Sequence, residues 1–282
     1  MNKEQLETNV KEFLLELRLK EKTHKTIIEY HNELNKFIKW FDESHNTEIN
    51  KSMLVDYKEY LLNSAYSINT KNKNIVVVNK FIKWLGYEND YLKKFKSQQK
   101  TSMNDPIYPQ EHKRMLRWAK KLNMNDMYLI MKVFAYTGCR VVELKDFTVE
   151  NVKKTFFKTY NKGKEREIIL TTDLRHELLD YCRKEKIESG IIFRSKRNSN
   201  QMLNPSTIWK KLQKISGYAK IDKNKIHPHA WRHLFAKAYS ELPGATNEEL
   251  ADILGHSNTE TTRLYMRTTT KEKQQRMENI KY

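Results

Sequence analysis

Four polar residues near the carboxyl end of the chain have the types and spacing of a catalytic group. His229 and Arg232 are three residues apart, so on a helix they share one face. His256 follows Gly255, which predicts the end of a helix formed by the run NEELADIL, and Tyr265 comes nine residues after His256. Arginine binds anionic oxygens, histidine transfers protons and tyrosine is a nucleophile, so the group is suited to phosphoryl transfer.

Two segments nearer the middle of the chain extend this pattern. Residues 137–144 read TGCRVVEL and place Arg140 three residues before Glu143. Residues 155–170 alternate as TFFKTYNKGKEREIIL, and Gly163 at their centre predicts a β-hairpin. In this order and at these separations, the segments and the carboxyl-terminal group resemble the tyrosine recombinases of the phage-integrase and Xer family.

The resemblance implies a role for each residue of the catalytic group. Tyr265 is expected to attack DNA and form a 3′-phosphotyrosyl bond, which conserves the phosphodiester energy so that neither ATP nor another cofactor is needed. Arg140 and Arg232 are expected to hold the non-bridging phosphate oxygens, because a guanidinium group matches their geometry. His229 is the expected general base, and His256 is expected to donate a hydrogen bond to the phosphate.

The resemblance also places a lysine in the hairpin, where it protonates the departing 5′ oxygen. We favour Lys162, which holds the first position of the turn. The turn is one residue shorter than the common version, so Lys164 stays a candidate. Glu143 is expected to orient Arg140 or a histidine, and His233 is expected to support the motif helix.

The charge of the chain favours a nucleic-acid partner. Its 282 residues include 53 Lys and Arg against 35 Asp and Glu, a net charge of +18. Residues 1–100 carry +4 of this excess and residues 101–282 carry +14, so most of it lies in the half with the motif. A strongly basic region of this kind is typical of proteins that bind nucleic acid.

The cysteine content and the hydropathy favour a cytoplasmic protein. Cys139 and Cys182 are the only cysteines, and they form no C-x-x-C motif. Two cysteines in a chain of this length indicate no disulfide framework. No apolar run approaches the ~20 residues of a membrane span, and the amino terminus lacks the apolar stretch of a signal peptide.

Apolar spacing predicts a mainly α-helical protein with a small β-hairpin or sheet. Residues 1–95 are expected to form a helical core-binding domain that clamps DNA, residues 96–106 a linker, and residues 107–282 a mixed α/β catalytic domain with a carboxyl-terminal tail. Helices are predicted over residues 3–20, 23–41, 51–63, 69–87, 109–122, 124–136, 172–188 and 204–217, and a short strand over residues 191–193.

A metal-dependent mechanism is less favoured. His227, His229, His233 and His256 imitate zinc ligands, but zinc sites usually include cysteine or a carboxylate at tight spacing, and Pro228 interrupts the first pair. A magnesium-dependent nuclease needs clustered carboxylates. Glu143 and Asp146 alone do not make such a cluster.

The sequence therefore predicts a site-specific DNA recombinase that cuts and rejoins strands through a Holliday junction. Two copies are expected on each DNA site and four in the synapse, and accessory proteins are left open. A Xer-like resolvase and a compact mobile-element integrase are both consistent with the length of the chain. The alternatives are a type IB topoisomerase-like enzyme that relaxes DNA and a non-catalytic DNA-binding module.

Overall fold

The computed structural model describes residues 2–96, 106–161 and 163–255, together with residues 274, 277 and 278. The chain divides into two compact units, Met1–Gln99 and Lys100–Tyr282, and each has its own hydrophobic core. Helices predominate, and two antiparallel strands form a small sheet, which confirms the predicted fold class. None of the helices in the described part of the chain is long and apolar enough to cross a membrane.

Local sequence signals set the helices of the amino-terminal unit. The unit contains α1 (Lys3–Leu19), α2 (His24–Glu43), α3 (Lys51–Asn63) and α4 (Ile68–Trp84). The residue before each helix has a side-chain oxygen that accepts a hydrogen bond from a backbone N–H of the first turn, as amino-terminal caps do. These caps are Asn2, Thr23, Asn50 and Ser67.

The core of the amino-terminal unit is rich in aromatic side chains. Phe37, Tyr57 and Phe81 are fully buried, and Phe37 meets Tyr57 edge to face with their ring centroids 4.9 Å apart. Phe13 contacts Phe81 and Trp84 in the same core. These aromatic residues therefore stabilise the unit by packing.

The second unit is built around one central helix. It contains α5 (Pro109–Lys121), α6 (Asn125–Thr137), α7 (Val149–Val152), β1 (Phe156–Asn161), β2 (Lys164–Ile169), α8 (Thr172–Lys184), α9 (Pro205–Tyr218), α10 (Pro228–Ser240) and α11 (Asn247–Leu254). The apolar helix α6 packs against α5, α8, α9 and α10, while β2 packs against α11. The sheet and α11 thereby lie beside the elements that carry the motif residues.

The predicted hairpin is confirmed. Asn161 pairs with Lys164, and Gly163, which precedes Lys164, has φ +73°. Short hairpin turns need a positive φ that glycine adopts without steric cost. Alternation along β2 buries Arg166 and Ile168 and leaves Glu167 between them exposed.

The predicted strand over residues 191–193 is wrong. Ile191 makes a single bridge to Thr148, and Arg194 makes a single bridge to Met202. The segment thus changes its backbone partner after a few residues, and a ladder cannot extend. The helix predicted over residues 172–188 also ends earlier, at Lys184, because the chain turns through a left-handed residue at Lys186.

Candidate active site

Helix α10 carries the first pair of motif residues. Pro228 occupies its first turn, where the missing backbone N–H costs nothing, and His229 and Arg232 follow on one face. The Arg232 side chain is 1% exposed. Its guanidinium donates to the carbonyl oxygen of Gly138 at 2.6 Å and to that of Leu254. Arg232 therefore joins the end of α6 to the end of α11.

A short 3₁₀ turn, Val141–Asp146, holds the second pair. The backbone N–H of Arg140 donates to Glu143 Oε2 at 2.6 Å, and Arg140 Nη1 donates to Glu143 Oε1 at 2.9 Å. Gly138 ends α6 in the left-handed region, with φ +58°. A Cβ atom there would lie 2.5 Å from the ring of Phe235, so glycine is required at this close approach.

Arg166 on β2 is a residue of the site that the sequence analysis missed. Its Nε and Nη2 atoms donate to the two carboxylate oxygens of Glu143 at 3.2 and 2.5 Å, and its Nη1 atom donates to the carbonyl oxygen of Ile253. The alternation of β2 contained a usable signal, since it places this arginine on the buried face with Ile168. A buried arginine needs a partner, so it pointed to a carboxylate.

Three guanidinium groups converge on the carboxyl end of α11. Arg166, Arg232 and Arg140 donate to the consecutive carbonyl oxygens of residues 253–255, the last at 3.2 Å. The last carbonyls of a helix lack partners within the helix and carry its negative dipole end, so cations are stabilised there. His256 follows this carbonyl cluster directly in the sequence.

The ionisation of Glu143 determines the net charge of the cluster. Burial acts to raise the pKa of its carboxyl group, but the hydrogen bonds from Arg166 and Arg140 outweigh burial and hold that pKa below its ordinary value. Glu143 is therefore ionised at neutral pH. Two guanidinium groups bond this carboxylate and that of Arg232 bonds backbone carbonyl oxygens, so the cluster keeps a positive excess that suits a phosphate.

The positive charges of these arginines affect the pKa of His229. Partial desolvation of its ring, and then the positive charge of Arg232, lower the pKa of His229 below the ordinary value. Arg140 acts in the same direction. His229 is consequently neutral near pH 7 and able to accept a proton.

The remaining predicted residues fall into two groups. Lys162, His256 and Tyr265 lie outside the described residues. Lys164 is exposed as the first residue of β2, and its register places it on the same face of the strand as Arg166. His233 is half-buried on α10, and burial lowers its pKa to about 4.

Two family models match the chain. Residues 106–272, more than half of the chain, match the model described as the phage integrase family.

The chain belongs to the phage integrase family.

Residues 10–89 match the second model, described as the phage integrase amino-terminal SAM-like domain. Family membership makes the protein a tyrosine site-specific recombinase, as predicted, and favours this activity over the topoisomerase and the non-catalytic module.

Full-length relatives support the membership. The tyrosine recombinase XerA of Pyrococcus horikoshii is 28% identical over 277 residues, covering 96% of this chain and 93% of the relative. The TnP I resolvase of Bacillus thuringiensis is also 28% identical, covering 90% of this chain and 93% of the resolvase.

Solved structures share the fold. The XerH recombinase bound to its difH substrate after cleavage gives a TM-score of 0.71 at 17% identity, covering 90% of this chain and 79% of XerH. A lambda integrase tetramer bound to a Holliday junction gives a TM-score of 0.73 at 16% identity, covering 92% of this chain and 76% of the integrase chain.

Proposed function

We propose that the protein exchanges DNA strands at paired recombination sites through a covalent 3′-phosphotyrosyl intermediate. The phenolic oxygen of Tyr265 attacks the scissile phosphorus, and the bond from phosphorus to the 5′ oxygen breaks. The free 5′ hydroxyl of the partner strand then attacks the phosphotyrosyl bond and releases the tyrosine. A reciprocal pair of such transfers, one from each duplex, produces a Holliday junction, and a second pair resolves it.

The convergence of arginines at the end of α11 carries this proposal. Arg140 and Arg232 reach adjacent backbone carbonyls from two different segments, so they can face one phosphate together. Cations aimed at the oxygens on which negative charge develops stabilise the transition state of phosphoryl transfer. Glu143 orients Arg140, and His256 adds a hydrogen-bond donor next to the same carbonyl cluster.

Proton transfer is assigned to two residues on opposite sides of the reaction. His229 is neutral at pH 7 and accepts the phenolic proton of Tyr265, whose ordinary pKa of ~10 opposes ionisation. Lys162 protonates the departing 5′ oxygen, with Lys164 as the alternative in the same hairpin. His233 supports α10 from its half-buried position.

The segments of the chain have separate roles, and several copies assemble on DNA. Residues 1–95 clamp the duplex, residues 96–106 link the domains, and residues 107–282 carry out catalysis. Two copies bind each site and four form the synapse, without a cofactor. The XerH and lambda integrase structures contain DNA, and the latter is a tetramer, which supports these proposals. The buried, unpaired thiols of Cys139 and Cys182 are consistent with a cytoplasmic location.

A trapping experiment tests the nucleophile. On a nicked suicide duplex, the wild-type protein should accumulate a covalent adduct that Tyr265→Phe does not form, while binding of the duplex stays nearly unchanged. Tyr282→Phe is the matched control, because it removes the same hydroxyl at another tyrosine near the carboxyl end. An adduct at normal yield with Tyr265→Phe would assign the nucleophile elsewhere.

A sulfur substrate separates the two lysines. A 5′-bridging phosphorothiolate leaves as a thiolate, which needs little protonation. Lys162→Ala should cleave ordinary DNA poorly and recover on the sulfur substrate, whereas Arg140→Ala should not recover. Recovery of Lys164→Ala alone would move the acid to Lys164, which shares the Arg166 face of β2.

A further inference from the structure

One buried arginine ties together three segments that are far apart in the sequence. Arg166 on β2 bonds Glu143, which lies 23 residues away, and Ile253 at the end of α11, which lies 87 residues away. Arg166 is 7% exposed and Glu143 is 1% exposed, so both charges depend on this contact for compensation. The hairpin, the 3₁₀ turn and the end of α11 therefore share one anchor.

We propose that Arg166 is a positioning residue that holds Arg140 in place through Glu143 and holds the end of α11 through the Ile253 carbonyl. The proposal concerns how the site is assembled, and its catalytic part rests on the proposed function. Arg166 occupies one oxygen of Glu143 through Nε and the other through Nη2. The carboxylate is thus fixed in the plane from which it bonds both the backbone and the side chain of Arg140.

The positioning role at residue 166 requires an arginine, and another cation does not supply it. A guanidinium group presents a rigid fork whose nitrogen atoms reach Glu143 and the Ile253 carbonyl at the same time. A lysine ammonium is a compact point charge, so it can compensate the carboxylate without keeping this geometry. Arg166→Lys therefore separates the contribution of charge from that of position.

The absence of a side chain at Gly255 leaves room for the Arg166 side chain. A Cβ atom at Gly255 would lie 2.7 Å from Cδ of Arg166, and the residue has φ +61°. The arginine stem thus packs directly on the backbone whose carbonyl oxygen accepts the hydrogen bond from Arg140 Nη2. Because Gly255 immediately precedes His256, the packing of Arg166 also fixes the point from which the chain continues into that residue.

The packing can be tested without DNA. Cys139 and Cys182 are the only cysteines of the chain, and both are buried in the second unit, so thiol labelling in urea reports the opening of that unit alone. Gly255→Ala should shift the labelling midpoint to lower urea in the wild-type background and shift it less in the Arg166→Ala background. The strain of an alanine in the left-handed conformation at position 255 is the same in both backgrounds and cancels. The clash with the Arg166 side chain is present only in the wild-type background. Equal shifts would overturn the packing.

The catalytic part is tested by single-turnover adduct formation on a saturating suicide duplex. Arg166→Ala should form the adduct on the order of 10²-fold more slowly, the scale of a misplaced catalytic group, with nearly unchanged DNA binding. Arg166→Lys should recover part of this loss. A rate for Arg166→Ala close to that of the wild-type protein would overturn the positioning role.

The pH profile distinguishes positioning from a general loss of structure. Among the described residues, Arg140 and Arg166 bond Glu143, and His229 and Cys139 interact with its charge. Without Arg166, burial dominates and the pKa of Glu143 rises, so protonation releases Arg140 as the pH falls. The Arg166→Ala rate should therefore show a loss in acid that comes from Glu143, in addition to the loss that protonation of His229 causes in both proteins, and it should recover as the pH rises.

Two variants identify the group that causes this loss of rate at low pH. Glu143→Gln in the Arg166→Ala background should remove it, and Arg166→Lys should not show it, because the charge is kept. A slow Arg166→Ala variant without this additional loss would overturn the route through Glu143. The absence of an adduct with the wild-type protein would contradict the proposed function instead, and the thiol-labelling cycle would still decide the packing of Arg166 on Gly255.

Discussion

Each unit of the protein buries a polar network, and the two networks differ in their balance of charge. In the amino-terminal unit, the Tyr57 hydroxyl donates to Asn74 Oδ1 at 2.8 Å, and Asn74 Nδ2 donates to the Glu33 carbonyl and carboxylate oxygens at 3.0 and 3.1 Å. Lys36 neutralises Glu33 at 2.9 Å. Donors match acceptors, and one cation matches one anion.

The network of the second unit is unbalanced. Arg140, Arg166 and Arg232 meet the carboxylate of Glu143 and a set of backbone carbonyls. Carbonyl oxygens satisfy N–H groups but bring no full negative charge, so the cluster keeps a positive excess. The comparison shows that satisfied hydrogen bonds are common to both networks, and that the unneutralised charge marks the one suited to an anionic substrate.

The largest stability change is expected when the charge of the second network is altered. Glu143→Gln leaves Arg166 and Arg140 without a carboxylate, and breaking a buried ion pair costs roughly 3–5 kcal/mol. We expect the second unit to be destabilised by this amount, measured by urea-dependent thiol labelling of Cys139 and Cys182. Glu33→Gln is the matched control, since it changes the other network and should leave the labelling unaltered. A cost below about 1 kcal/mol for Glu143→Gln would contradict the assigned role of its charge.

A smaller change for each group is expected when the second unit is acidified. Burial lowers the pKa of His112 and of His233 to about 4, whereas an unfolded histidine titrates near 6.5. His112 must be neutral to accept the bond from Trp231 Nε1 at 2.9 Å. The unfolded state therefore takes up protons first, and stability falls as the pH drops from about 6.5 toward 4.

By pH 5, each of these histidines should cost roughly 2 kcal/mol. Labelling midpoints at pH 7 and pH 5, obtained with a thiol reagent that reacts in acid, measure the loss. His233→Asn should reduce the difference between the two midpoints. A difference that is unchanged in this variant would show that His233 does not titrate as assigned.

The smallest effect is expected in the balanced network. Tyr57→Phe removes one neutral donor and leaves Asn74 Oδ1 without it, at a cost of about 1–2 kcal/mol to the amino-terminal unit. Hydrogen exchange of amides in α3 and α4 measures this cost. Cleavage of saturating DNA should stay at the wild-type rate, and a large loss of rate would show that the two networks are coupled.

Local chemistry explains what the sequence could predict. The ends of α6 and α11 follow from Gly138 and Gly255, which adopt the left-handed conformation that closes a helix. The hairpin follows from alternation around Gly163, and the pairing of Arg140 with Glu143 follows from their spacing. Each of these features depends on residues within one turn or one strand pair.

Tertiary contacts explain what the sequence could not predict. The bond from Arg166 to Ile253 joins residues 87 apart, and nothing in the local pattern specifies this partner. The strand over residues 191–193 was predicted wrongly because β propensity measures how well a side chain suits a pleated surface, not whether a backbone partner continues. The convergence of three arginines on α11 likewise required the packing of β2 and α10 beside that helix.

The central claim is that Arg140 and Arg232 hold the charged oxygens of the scissile phosphate, and a neutral substrate tests it most directly. Replacing one non-bridging oxygen with a methyl group, as in a scissile methylphosphonate, removes the negative charge. On ordinary DNA, Arg140→Ala and Arg232→Ala should each slow adduct formation by roughly 10²–10³-fold relative to the wild-type protein. On the methylphosphonate, the same variants should lose much less relative to the wild-type protein. Equal losses on both substrates would contradict the claim, because the arginines would then be acting on something other than the phosphate charge.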